Sequence, residues 1–158
     1  MSNQEIFFRL GCALLLGMII GFERKLVHKE AGMRTYGILS MACAIFMLSA
    51  VNIGNNFETV QETWRALAQV LGQIVTGVGF LGVGLIFYSK EDHARVGLTS
   101  AATLLCVAGI GASCGLGFYK IASLATILIL LTLTLGFYVE YGILKILGKD
   151  DRNNSDQQ

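Results

Sequence analysis

A chain of 158 residues that is 54% hydrophobic, 15% charged and free of proline, with a mean hydropathy of +0.62, is not an ordinary soluble domain; a membrane protein comes first. The net charge of +1 carries no global electrostatic footprint for nucleic acid, and none is expected as a partner. Cys12, Cys43, Cys106 and Cys114 lie inside apolar runs without a C-x-x-C spacing, and His28 and His93 are far apart. They read as small packing residues rather than a redox or metal site.

Five apolar runs follow in chain order, at about 6–22, 35–53, 66–88, 97–118 and 120–147. Each approaches or exceeds the ~20 residues a helix needs to cross the hydrocarbon core. The first is a retained helix and not a signal peptide, since Glu5 and Arg9 lead it and no small-residue cleavage site follows. The expected fold is an all-α integral membrane protein with five transmembrane helices over residues 1–148 and a polar, disordered tail over 149–158. The stretch Gly115–Tyr119 is short enough to make the last two helices an antiparallel hairpin.

Lysines and arginines set the expected orientation. With the N-terminus outside, Arg24, Lys25, Lys29, Arg34, Lys90, Arg95, Lys145, Lys149 and Arg152 lie inside. Only Arg9, Arg65 and Lys120 of the twelve lie outside. The positive-inside rule therefore gives N-out and C-in.

That topology brings unusual residues to one inner layer. Glu23 and Arg24 end the first helix, Arg34 and Thr35 open the second, and Thr99, Ser100 and Thr103 open the fourth. Glu140, about 30 Å into the fifth helix, reaches the same depth. Ionisable groups at membrane depth point to function, and a buried Glu23–Arg34 ion pair is expected. Arg9, near the outer end, is either an anchor or part of a pathway. A polar stripe of Gln69, Gln73 and Thr76 on the third helix, and one of Thr99, Thr103, Cys106 and Ser113 on the fourth, suit interhelical hydrogen bonds or the lining for a small solute.

The third helix also carries Gly77, Gly79, Gly82 and Gly84. Gly77 and Gly84 share a face, with Gly79 and Gly82 nearly opposite. Glycines on two faces imply a central third helix packed closely on both sides, or one locally unwound. Gly17-x-x-x-Gly21 of the first helix is the expected partner for one of those faces.

These stretches resemble the MgtC/SapB family of bacterial inner-membrane proteins. Gly17-x-x-x-Gly21-x-Glu23-Arg24 with Ala31-Gly32-Met33-Arg34-Thr35 resembles its first signature. The segment from Gln73 to Gly84 resembles the second, and Gly97-Leu98-Thr99-Ser100-Ala101-Ala102-Thr103 the third. The likeness runs over about residues 5–120. Leu105 stands where members commonly carry tryptophan, and the C-terminal ACT-like domain of many members is missing from this sequence. The resemblance implies a multi-pass protein of the bacterial inner membrane, linked to magnesium limitation, acid stress, virulence and inhibition of ATP synthase.

Three functions fit. The first is a regulator that binds a membrane partner such as ATP synthase. The second is a small-ion carrier or channel, for Mg²⁺ or a proton-coupled anion, with its charged site at the cytoplasmic side. The third is a sensor whose basic pocket holds a phosphate or an acidic lipid head group. No HExxH or other catalytic motif occurs, and an enzyme is not expected. No cofactor is expected either; a bound lipid, an anion or Mg²⁺ would be the ligand. Two-sided glycines favour a homodimer among membrane lipids.

Overall fold

The computed structural model describes residues 1–54, 59–88 and 94–146, with the side chains of 88, 94–96 and 137–146 left out. The chain forms α1 (Asn3–Leu26), α2 (Met33–Gly54), α3 (Val60–Tyr88), α4 (Ala94–Leu116) and α5 (Tyr119–Ile146). All five are long and apolar enough to cross a membrane, and the expected all-α, five-span architecture stands. The tail 149–158 and the loop carrying Lys90 lie outside the described residues, as do the side chains of Arg95 and Glu140.

Two helices begin earlier than their apolar runs because polar residues cap them. Ser2 accepts a hydrogen bond from the Glu5 backbone N–H at 3.2 Å. Thr59 Oγ1 accepts one from the Glu62 N–H at 3.3 Å. Each cap satisfies one of the donors that a helix start leaves free. At the other end of α1, the Lys29 N–H donates to the Arg24 carbonyl at 3.0 Å, and His28 takes the left-handed conformation at φ 56°. α4 ends with the Phe118 N–H donating to the Ser113 carbonyl at 2.8 Å and Gly117 at φ 83°, a glycine-terminated stop of the usual kind.

The helix at the centre is α4, which touches the other four. α3 meets only α2 and α4 among the described residues, and α5 only α1 and α4. A central, doubly packed α3 is therefore not what forms. The reason is where the close approaches fall. A Cβ on Gly111 would overlap the Ser40 carbonyl oxygen, and one on Gly115 would sit 2.7 Å from the Ala44 carbonyl. On α1, a Cβ on Gly17 would lie 2.6 Å from the Tyr36 carbonyl, and one on Gly21 2.7 Å from Met33 Cα. The Gly17–Gly21 face thus seats on α2 and not on α3. α2 is clasped between two glycine faces, and Tyr36, Ser40, Cys43, Ala44 and Met47 are nearly or wholly excluded from the surface.

At the end of the bundle opposite the α1–α2 loop, Arg9 closes the core. Its Nη1 donates to the Gly115 carbonyl at 2.7 Å, and its Nη2 pairs with Glu5. A cation on the last carbonyls of α4 offsets the negative end of that helix. Phe8 meets Tyr119 edge-on at 5.3 Å between ring centroids and fixes α5 at the same level. Arg9 is thus a helix cap, and neither a lipid anchor nor a step on a pathway is needed to explain it.

Candidate functional site

Glu23 and Arg24, the last charged pair inside the α1 span, are joined to each other. Arg24 Nε donates to Glu23 Oε2 at 2.5 Å and Nη2 to Oε1 at 2.7 Å. The fork-on-carboxylate geometry places both formal charges in one bidentate contact. The side chains are only 5% and 13% exposed. Glu23 therefore does not pair with Arg34, as the sequence suggested. Met33 packs its backbone against Gly21. Arg34, one residue further, is turned by about 100° and is exposed.

Tyr36 is the residue of this layer that sequence reasoning missed. It is fully buried, and its hydroxyl donates to the Ser100 carbonyl at 3.2 Å. That bond ties α2 to the first turns of α4. Its signal in the sequence was weak but present: a tyrosine beside Gly37 in a run otherwise built for lipid or core. Ser100 and Thr103 are buried, and the Thr103 hydroxyl donates to the Thr99 carbonyl of its own helix at 2.7 Å. Thr35 and Thr99 are exposed. Of the predicted layer, Arg24, Ser100 and Thr103 are buried and Glu23 is nearly so, Arg34, Thr35 and Thr99 are exposed, and the Glu140 side chain lies outside the described residues.

The glycine motif and the polar stripe of α3 lie elsewhere. A Cβ on Gly82 would make an ordinary contact with Ala101 of α4 at 3.4 Å, whereas Gly77, Gly79 and Gly84 have nothing within 4 Å. Thr76 is exposed and donates to the Gly72 carbonyl. Gln69, Gln73 and Gly77 form one wall of a groove of about 760 Å³ between α2 and α3, facing Phe46, Ser49 and Ala50. A second groove of about 610 Å³ continues it past Leu81 to Gly84, Thr35 and Ala31. Neither groove is lined by Glu23 or Arg24. Among the described residues no group of three His, Cys, Asp or Glu side chains could hold a metal ion.

Residues 10–141 match the model of the MgtC family. The chain is 42% identical over 118 residues to Protein MgtC of Salmonella typhimurium, covering 75% of this chain and 46% of that protein. It is 33% identical over 130 residues to Protein SapB of Bacillus subtilis, covering 82% and 56%. It is 35% identical over 136 residues to an uncharacterized protein of Haemophilus influenzae, covering 85% and 57%. The chain spans about half the length of these curated relatives. No solved structure matches it.

Proposed function

Because this chain belongs to the MgtC family, we propose that it is a non-enzymatic regulator of the bacterial inner membrane, oriented N-out and C-in, which serves adaptation to magnesium limitation, acid or host stress by acting on a membrane partner such as ATP synthase. What supports a regulator over a carrier is the state of the charged layer. A carrier needs its ionisable site open to a path on at least one side of the membrane. Here Arg24 is 4% exposed and spends two of its N–H groups on the neighbouring Glu23. A guanidinium closed on a carboxylate in this way is a structural brace, costly to open because separating the pair leaves both charges buried and unpaired. The carrier reading keeps one favourable observation, the amides of Gln69 and Gln73 in the α2–α3 groove.

The test is co-reconstitution. Proteoliposomes containing purified ATP synthase, with and without the chain, are assayed for ATP-driven proton pumping. Liposomes containing the chain alone are assayed for leakage of Mg²⁺, H⁺ and phosphate. Slower pumping by the synthase without leakage from the chain alone is the expected result. Leakage of any of the three that is lost in Glu23→Gln would replace the regulator by the carrier.

A further inference from the structure

Two amides of the α3 span, Gln69 toward its outer end and Gln73 deeper, have nothing to bond among the described residues. α3 is 29 residues long, about 43 Å at 1.5 Å per residue, and Gln73 sits next to its midpoint. Gln69 is one turn away. Both are exposed, both line the α2–α3 groove, and neither has a hydrogen-bond partner among the described residues. Thr76, by contrast, is satisfied by its own helix. A primary amide offers two donors and an acceptor, and hydrocarbon satisfies none of them.

The rest of the stripe is what a second helix requires. At 100° per residue Gln69, Gln73, Gly77 and Gly84 fall on one face. A Cβ at Gly77 or Gly84 would meet nothing within 4 Å. Glycine there serves no contact inside this chain, yet it removes the side chain that would hold another backbone away. Phe80, on the same face, is 79% exposed.

We propose that this groove is filled by α3 of a second copy of the chain, in a parallel two-fold dimer in which Gln69 and Gln73 of one copy hydrogen-bond to those of the other. The occupant must bring hydrogen-bonding groups to the depth of Gln73, inside the apolar run, which an acyl chain does not do. Glutamine is its own complement, because each amide both donates and accepts. The lysine and arginine asymmetry inserts every copy the same way round, so identical residues meet at identical depth. A two-fold axis along α3 then places the same stripe on both sides of the contact.

The dimer is tested with full-length chain labelled at its N-terminal amine with donor or acceptor dye. Energy transfer is followed in phosphatidylethanolamine–phosphatidylglycerol vesicles as lipid is added. Saturable association is expected for the parent chain. Gln69→Leu with Gln73→Leu is expected to weaken it about tenfold, from several interhelical bonds of modest strength. Gly77→Leu is expected to weaken it by more than that. Leu128→Ala, on the exposed face of α5, is expected to leave it unchanged. Because a Cβ at Gly77 meets nothing within 4 Å in the single chain, Gly77→Ala is measured beside it and keeps the parent's unfolding midpoint, so transfer lost in both variants is read as lost association. Absence of transfer at every protein-to-lipid ratio, or association that ignores both sets of substitutions, would overturn the proposal. A monomer that retains a lipid in the groove would overturn it too.

Discussion

Two groups of glycines in this molecule look alike in sequence and behave in opposite ways. Gly17, Gly21, Gly111 and Gly115 each press against the backbone of α2 or of the loop leading into it. Gly72, Gly77, Gly79 and Gly84 of α3 press against nothing. The first group explains itself, since α1 and α4 could not approach α2 with any larger residue. The second makes no close approach within the single chain. A small-xxx-small spacing thus reports a helix ready for close contact and says nothing of whether the partner is in the same molecule.

The contrast can be broken most severely at Gly111. In Gly111→Ala the new methyl overlaps a main-chain carbonyl, that of Ser40, which no rotamer change relieves. The expected loss is about 3 kcal/mol, the upper end for overpacking, read as failure to assemble or as a sharply lowered unfolding midpoint in detergent or nanodiscs. Wild-type stability in this variant would mean that α2 and α4 do not meet as described. Next comes the ion pair. Glu23→Gln leaves the Arg24 charge buried without its counter-ion and should cost about 3 kcal/mol, visible by steric-trap unfolding. A change near zero would mean that water already reaches Arg24. The smallest effect is expected from alanine at Gly77 or Gly84. The added methyl meets open space and helix propensity improves, so the stability of the single chain should hold or rise slightly while energy transfer between copies falls.

How much of this could be read beforehand depended on which physics set the feature. The five spans were legible because the bilayer imposes length and apolarity on every helix alike. The starts of α1 and α3 lie in polar first turns that apolar runs do not mark, although Ser2-Asn3-Gln4-Glu5 and Thr59-Val60-Gln61-Glu62 carry the capping-box spacing. Reading apolar runs alone trims such polar first turns away. For the charged residues near the end of α1 the sequence shows that Glu23 and Arg24 are unusual in an apolar span, but not that they pair with each other. About 100° of rotation, one residue along α2, decides whether Arg34 faces the α1 carboxylate, and sequence order does not record which side of α2 meets α1.

The same limit governs the helix neighbours. In water, one polar and one apolar face would have told which side of each helix turns inward. In lipid both sides are apolar, and Leu128 on α5 faces outward although it is as hydrophobic as any core residue. Composition and run length were enough to give five helices that can cross a membrane and to mark which of them can be approached closely. Only the tertiary structure decided that α4 and not α3 is the hub, that α2 is clasped by the glycines of α1 and α4, and that the amides of α3 are left facing outward. Depth is fixed by transfer from water to hydrocarbon, one residue at a time. Neighbours are fixed by steric fit between two backbones, which no single helix contains.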